Sequence, residues 1–146
     1  MKQLIKGIWF IGKSGVGKTT ASNLIKSDKK SLILIDGDEV RKYISNDLGY
    51  DLKDRKTQVK RIYGIAQLIL KNNLTPIISS VYMSECIYKR CKNSKILVKN
   101  IEKDIDELKK IRKLYNNKKN VVGLDLPESK NYDFQIENTG TKFYEE

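Results

Sequence analysis

The sequence contains no histidine, and this absence excludes several kinds of catalytic site. Without an imidazole there is no histidine general base, no histidine metal ligand and no Ser-His or Cys-His triad. Only two cysteines are present. Cys86 and Cys91 lie five residues apart in a predicted helix, where they point to different faces, and they match neither a disulfide framework nor the ligand spacing of a zinc site. We interpret both as ordinary reduced thiols. Chemistry in this chain therefore depends on carboxylates, cations and bound metal.

Long hydrophobic runs are also missing. No apolar stretch approaches the roughly 18 residues of a membrane-spanning helix. The short apolar stretch near the N-terminus leads into a glycine-rich loop without a small-residue cleavage site, so it predicts a strand. We therefore expect a cytoplasmic protein with no membrane partner. With 146 residues, the chain is expected to form one domain, residues 1–146, with one active site.

Acidic residues are scarce relative to basic ones. The chain has 29 Lys and Arg against 18 Asp and Glu, a net charge of +11. This surplus favours a polyanionic partner such as a nucleotide or nucleic acid, although an ordinary solvated basic surface explains it equally well. The lysines are scattered, and neither a continuous basic arm nor interleaved aromatic residues are present. Small-molecule nucleotides are the expected partners, and nucleic acid is not expected.

Short β-like runs alternate with longer helical patterns along the chain. Strands are predicted at residues 8–11, 32–35, 76–80, 95–98 and 133–136. Helices are predicted at residues 17–26, 54–71 and 104–115, and the second of these has the clearest apolar face. This alternation is typical of a parallel sheet with helices on both faces. The expected fold class is therefore α/β, a three-layer α/β/α sandwich around a five-stranded parallel sheet.

A glycine-rich loop lies between the first predicted strand and the first predicted helix. It fits the phosphate-loop pattern G-x-x-x-x-G-K-[ST] with Gly12, Lys13, Ser14, Gly15, Val16, Gly17, Lys18 and Thr19, and Thr20 follows. Backbone N–H groups of such a loop surround phosphate oxygens, so these residues are the candidate ATP-binding residues. Lys18 is the candidate catalytic cation for the β- and γ-phosphates. Thr19 is a candidate Mg²⁺ ligand.

The context of this loop narrows the class of protein. Chance alone gives the pattern in on the order of 1% of chains this long, and less often between a strand and a helix. The chain has no N-K-x-D guanine reader, no D-x-x-G switch and no room for a motor or transporter ATPase core. The remaining class is a small-molecule kinase, so we expect a P-loop NTPase fold of the nucleoside-kinase-like type.

Two carboxylates follow the second predicted strand. Asp36 and Asp38 flank Gly37 at the carboxyl end of that strand, where open α/β sheets bind ligands. Asp38 is assigned to accept the proton of an attacking hydroxyl, and Asp36 to the magnesium shell. The alternative is that Asp-Gly-Asp is only a turn. The residues alone leave both interpretations open.

A wider pattern is present at residues 36–41, 47–50, 54–55 and 60–61, and it continues at decreasing fidelity through 77–80, 113–115, 119–120, 123–125 and 127–128. This pattern resembles the adenylylsulfate kinase family, which phosphorylates the ribose 3′-hydroxyl of adenylylsulfate (APS) to give PAPS. It implies an ATP-dependent phosphotransferase with an alcohol acceptor and Mg²⁺ as cofactor.

The resemblance also implies an acceptor site. Arg41 and Arg55 correspond to acceptor-phosphate contacts, a task suited to planar guanidinium groups. Gln58 stands where the family usually has Asn. Lys119 and Val121 are the other implied acceptor-binding residues. Arg112 lies where the family has its lid and is the implied lid cation, although a solvated helix face explains such a charge equally well.

Several departures from the family fall on the acceptor side. Val121 stands where the family has an aromatic residue that stacks on the acceptor's adenine, and residues 81–85 replace a Ser-Pro-Tyr-Arg segment without supplying its arginine. The stretch between Tyr115 and Lys119 is also shorter. Two alternatives therefore stay open. One is the same chemistry on a different nucleotide conjugate, for example a cytidine diphosphate-type acceptor; the other is a nucleotide-binding homologue without turnover.

The C-terminal end departs from the family as well. The chain ends at Glu146, soon after the fifth predicted strand, where the family usually continues into a final helix. Two expectations follow for the sheet face involved. Either it is less covered, or a partner chain covers it. A homodimer is the assembly expected.

Overall fold

The computed structural model describes residues 4–26, 31–111, 119–124 and 126–138. Within these residues the strands are β1 (Gly7–Ile11), β2 (Leu32–Asp36), β3 (Thr75–Ser80), β4 (Ile96–Glu102) and β5 (Phe134–Glu137). The helices are α1 (Lys18–Lys26), α2 (Gly37–Tyr43), α3 (Leu52–Lys71), α4 (Glu85–Asn93) and α5 (Ile105–Ile111). All strand pairs are parallel, in the order β2-β3-β1-β4-β5. The predicted five-stranded parallel sheet is confirmed.

Helices cover both faces of the sheet, and each face has its own core. Side chains alternate along β1, so Trp9 and Ile11 lie in one core and Phe10 lies in the other. The first core is completed by residues of α2, α3 and α4, including Val40, Ile62 and Ile87. The second core is completed by residues that include Ala21 of α1 and Leu108 of α5. This is the predicted three-layer α/β/α arrangement.

The longest described helix, α3, follows the predicted apolar stripe. Val59, Ile62 and Ala66 are buried at helical spacing against the sheet. The helix begins two residues earlier than predicted because Asp51 is its N-cap and accepts a hydrogen bond from the Asp54 backbone N–H at 2.8 Å. None of the described helices is both long and apolar enough to cross a membrane.

Two elements differ from the prediction. Strand β4 continues to Glu102 instead of ending at residue 98, although Lys99 and Asn100 are polar. Those residues are buried between β1 and β5 and pair with both strands, so tertiary pairing outweighs their low strand propensity. The second difference is α2, which the sequence interpretation did not include. The predicted helix at 104–115 is described only as α5, and its remainder lies outside the described residues.

The two cysteines lie on α4, on different faces as expected. Cys86 is exposed, Cys91 is buried, and both are free thiols. Burial, and secondarily the charge of Asp133, raises the pKa of the Cys91 thiol to about 12. Cys91 is therefore an unreactive core residue.

The strand order places the functional residues at one edge of the sheet. β1 is central, with β3 and β2 on one side and β4 and β5 on the other, so the sheet reverses its order beside β1. Parallel sheets bind ligands at such a switch point, outside the carboxyl ends of the strands. Asp36 is in register with Ser79, and Ser79 is in register with Phe10. Two strand spacings of about 4.8 Å each therefore separate the end of β2 from β1.

Candidate active site

A cleft of about 810 Å³ opens at this edge of the sheet. Most of the predicted site residues line it. From the phosphate loop and the start of α1 these are Ser14, Gly15, Gly17, Lys18, Thr19 and Thr20. From the second strand end and the acceptor side they are Asp36, Asp38, Arg41, Arg55, Gln58, Lys119 and Val121. The structure thus brings residues distant in sequence into one concave surface.

The phosphate loop has the shape that its glycines allow. Gly12 has a φ of +149°, and a Cβ there would lie 2.5 Å from the backbone oxygen of Ile101, so only glycine fits. The Lys18 Nζ donates hydrogen bonds to the backbone oxygens of Gly12 at 2.7 Å and Lys13 at 2.9 Å. These bonds hold the ammonium group within the loop. Backbone N–H groups, a helix N-terminus and a cation suit the site to phosphate.

Three predicted loop residues do not line the cleft. Gly12, Lys13 and Val16 are buried, and the Val16 side chain packs in the core that contains Phe10. The Val16 backbone oxygen accepts a hydrogen bond from Asn138 Nδ2 at 2.9 Å. These contacts hold the phosphate loop against the core. Gly12 and Val16 contribute backbone atoms to the loop.

Lys13 is held by two carboxylates away from the cleft. Its Nζ lies 2.7 Å from Glu128 Oε1 and 3.4 Å from Glu102 Oε2. Burial is the largest single influence and lowers the Lys13 pKa, but the hydrogen bonds and charges of the two glutamates together outweigh burial, so the pKa is raised. Its side chain is therefore a charged structural contact rather than a group facing the cleft.

The two strand-end carboxylates differ in what they contact. Asp36 is the last residue of β2 and the N-cap of α2, and it accepts a hydrogen bond from the Asp38 backbone N–H at 3.1 Å. Asp38 is exposed and also lines the cleft. Asp-Gly-Asp is therefore a strand end joined directly to a helix start, rather than a simple turn.

Asp36 both caps α2 and lines the cleft, so its substitution should affect the stability of the fold and the chemistry of the site separately. Asp36→Ala removes the cap, so we expect the free energy of unfolding to fall by about 0.5–2 kcal/mol. Asp36→Ser keeps a capping oxygen and should lose less stability, while both variants lose the carboxylate from the cleft. Urea unfolding monitored by circular dichroism measures this difference. Equal destabilisation by both substitutions would contradict the capping role.

On the acceptor side, two arginines flank one aromatic ring. The guanidinium carbon of Arg41 lies 4.3 Å from the centroid of the Tyr50 ring, and that of Arg55 lies 5.6 Å away. Arg41 Nη1 donates to the backbone oxygen of Gly49 at 2.8 Å, and Arg55 Nε donates to that of Tyr50 at 2.9 Å. The loop before α3 is thus folded against both cations.

Tyr50 lines the cleft but was not among the predicted site residues. The ring is exposed although cations flank it. The signal that could have identified it is an aromatic residue in the segment 47–50, which lies between the segments that contain Arg41 and Arg55. It gives the acceptor half of the cleft an aromatic surface.

The remaining acceptor-side residues have different environments. Gln58 is buried and its Nε2 donates to the backbone oxygen of Gly37 at 3.1 Å, while its Oε1 has no hydrogen-bond partner among the described residues. Val121 is 6% exposed and packs in the core with Phe10, so it is a wall residue. Lys119 is exposed at the cleft. Arg112, the implied lid cation, lies outside the described residues.

The floor of the cleft contains two serines that were not among the predicted site residues. Ser79 and Ser80 end β3 and line the cleft. The buried Trp9 Nε1 donates a hydrogen bond to Ser80 Oγ at 2.8 Å. The indole therefore fixes a polar side chain between the phosphate loop and the Asp36 strand end.

The donor set fits a magnesium ion that is bound mainly by phosphate and water. Among the described residues, no three His, Cys, Asp or Glu side chains form a metal-binding group. Thr19 and Asp36 both line the cleft. Mg²⁺ in phosphoryl-transfer sites keeps several waters and needs only one or two protein ligands besides the substrate phosphates. These two residues are therefore sufficient candidates.

Comparison with known sequences gives one family. The family model described as adenylylsulphate kinase matches residues 5–121. The adenylyl-sulfate kinase of Deinococcus deserti is 36% identical over 78 residues, which cover 51% of this chain and 43% of that protein. The adenylyl-sulfate kinase of Rippkaea orientalis is 34% identical over 85 residues, covering 56% and 47%. The matched region thus spans less than half of these relatives.

Comparison with solved structures gives the same fold. The Mycobacterium tuberculosis APS kinase CysC, in complex with AMPPNP and APS, has a TM-score of 0.72 at 20% identity and covers 93% of this chain and 90% of its own. A gluconokinase from Sinorhizobium meliloti has a TM-score of 0.58 at 13% identity, covering 93% and 84%. At such identities the likeness concerns the fold, and that fold is the predicted P-loop kinase type. Because the family model matches most of its length, this chain belongs to the adenylylsulphate kinase family.

Proposed function

We propose that this chain is a kinase that transfers the γ-phosphoryl group of ATP to the ribose 3′-hydroxyl of APS, giving PAPS. The observation that carries the proposal is a single cleft lined by the phosphate loop, the strand-end carboxylates and two arginines. Family membership supports it. The similar Mycobacterium tuberculosis structure, bound to AMPPNP and APS, supports pairing a nucleotide donor with this acceptor.

The donor side of the proposal uses the phosphate loop. Backbone N–H groups of the loop bind the phosphates, and the Lys18 ammonium neutralises charge on the β- and γ-phosphates. Thr19 and Asp36 would hold Mg²⁺. When bound, Mg²⁺ would offset the charge that develops on the leaving group.

The transfer step assigns the proton to Asp38. Asp38 is exposed and lines the cleft, where it can accept the proton of the acceptor's 3′-hydroxyl. The oxygen of that hydroxyl forms the new bond to the γ-phosphorus. The bond from that phosphorus to the β–γ bridging oxygen breaks, and ADP leaves with the electron pair. Arg41 and Arg55 bind the anionic part of the acceptor, beside Gln58, Lys119 and Val121. The Arg112 lid role stays a prediction.

An ADP-release assay tests this function directly. ATP and Mg²⁺ are mixed with the protein, and coupled ADP formation is followed with and without APS. We expect APS-dependent ADP release together with PAPS formation. Turnover no faster than the ATP-only blank would contradict the proposal.

A second candidate keeps the chemistry and changes the acceptor. It is favoured by Val121, an aliphatic residue packed into the core at the cleft wall, where an adenine-stacking aromatic residue was expected from the family. The same assay with a panel of nucleotide conjugates, including cytidine diphosphate-type acceptors, distinguishes the two. Preference for APS rejects the alternative, and no turnover with any acceptor favours a nucleotide-binding homologue without activity.

Three further expectations remain predictions alongside this function. They are a single catalytic domain over residues 1–146, a cytoplasmic location and a homodimer. Light scattering of the purified protein measures its mass against the 16.9 kDa of one chain. A monomeric mass would reject the homodimer.

A further inference from the structure

The contacts of Lys13 connect the phosphate loop to another part of the cleft. Lys13 is 7% exposed, and its ammonium lies between Glu128 and Glu102 at 2.7 and 3.4 Å. A buried ammonium group that loses its carboxylate partners is strongly destabilising. The ion pairs therefore restrict how far Lys13 can move from the two glutamates. In the phosphate-loop pattern the position of Lys13 is unrestricted, so the motif itself does not require this contact.

The partner of Lys13 belongs to a segment that also supplies cleft residues. We call residues 119–124 and 126–128 the wall segment. Lys119, Asn120, Val121 and Val122 of the wall segment line the cleft, and Glu128 ends it. Gly123 has a φ of +94°, and a Cβ there would lie 2.7 Å from Lys13 Cδ. The stem of Lys13 thus lies directly against the wall segment, and its charge is bound to the same segment.

The other end of the wall segment is bound from the acceptor side. Arg55 Nη2 donates a hydrogen bond to the Asn120 backbone oxygen at 2.9 Å. The Lys13 backbone oxygen accepts a hydrogen bond from Lys18 Nζ at 2.9 Å. Continuous contacts therefore run from the phosphate-binding cation, through Lys13 and the wall segment, to an arginine of the acceptor side.

We propose that Lys13 is a positioning residue that couples nucleotide binding at the phosphate loop to acceptor binding at the wall segment. Phosphate at the loop attracts Lys18 and alters its bonds to the carbonyls of Gly12 and Lys13. Lys13 transfers that change to Glu128 and so to the wall segment. The identity of the acceptor rests on the proposed function, whereas the coupling rests on these contacts. Couplings between two sites are typically about 5- to 150-fold in affinity.

Amide hydrogen exchange tests the coupling without any acceptor. The non-hydrolysable ATP analogue AMPPNP is added to the wild-type chain, to Lys13→Met and to Glu128→Gln, and exchange is measured for peptides covering residues 119–128. We expect AMPPNP to slow exchange there in the wild type by about tenfold and by less than twofold in either variant. An equal effect in all three proteins, or none in the wild type, overturns the proposal.

A matched pair on α4 provides the control. Lys89 and Glu85 form an exposed ion pair at 3.2 Å, so Lys89→Met and Glu85→Gln repeat the same chemical changes away from the cleft. Both should behave as the wild type does. Glu128 is 41% exposed, so Glu128→Gln is expected to fold even where Lys13→Met does not.

Acceptor titration gives the thermodynamic measure. Calorimetry with APS, with and without AMPPNP, should show about tenfold tighter APS binding in the presence of AMPPNP for the wild type and no change for Lys13→Met or Glu128→Gln. If APS does not bind while the exchange response is present and depends on Lys13, the proposed acceptor is wrong and the coupling stands. If APS is phosphorylated but the exchange response is unchanged in the variants, the coupling is wrong and the proposed function stands.

Discussion

Lys18→Ala is expected to reduce kcat/KM for phosphoryl transfer by about 10³-fold, comparable with removal of a charge-stabilising group from a preorganised site. The ammonium group lies within the loop, bonded to the backbone oxygens of Gly12 and Lys13, so it is held close to the backbone that would surround phosphate. Because the charge on the transferring group is spread over oxygens, a fixed cation there acts mainly on the transition state. Coupled ADP release under steady-state conditions measures the loss.

Controls separate this effect from loss of fold. Lys18→Met keeps most of the aliphatic stem and should be nearly as inactive as Lys18→Ala, with a circular dichroism spectrum like that of the wild type. Lys89→Ala, at an exposed position on α4, should retain full activity. Wild-type turnover in a folded Lys18→Ala protein would remove the phosphate loop from the mechanism.

Asp38→Asn is expected to reduce kcat by about 10²- to 10⁴-fold, the usual contribution of a positioned general base. The substitution keeps the size of the side chain and the backbone N–H that donates to Asp36, so the start of α2 should remain intact. Stability should change by less than about 0.5 kcal/mol because Asp38 is an exposed residue. Asp38→Asn should therefore lower activity strongly while leaving stability almost unchanged.

Single-turnover measurements make the Asp38 prediction sharper. With ATP and acceptor both saturating, Asp38→Asn should slow the chemical step and leave the affinity for AMPPNP within about twofold of the wild type. A variant that loses nucleotide affinity but transfers phosphoryl groups at the wild-type rate would show that Asp38 is not the base.

The central part of the fold and the donor half of the site could be predicted because their signals are local. The glycine spacing of the loop, the apolar stripe of α3 and the strands around them all depend on nearby residues. Helix α2 could not be predicted in this way. It is seven residues long, begins with glycine and buries only Val40 among its described residues, so it has too little apolar periodicity for a sequence signal.

Other features depend on contacts between distant residues. Lys99 and Asn100 extend β4 because neighbouring strands pair with them on both sides, and no local pattern contains that information. Lys13 occupies an unrestricted motif position, so its burial against Glu128 could be found only from the structure. Arg41, Arg55 and Gln58 were identified by resemblance. The structure adds their backbone contacts and the ring of Tyr50, which lies close to both Arg41 and Arg55.

The Trp9–Ser80 hydrogen bond gives this protein an optical property. The chain contains a single tryptophan, so its indole emission comes from one known position beneath the floor of the cleft. Ser80 contacts that indole and lines the cleft, so a molecule entering beside Ser80 should alter the polarity sensed by the ring. We therefore expect cleft occupancy to be readable from the unlabelled protein, with no dye or engineered reporter.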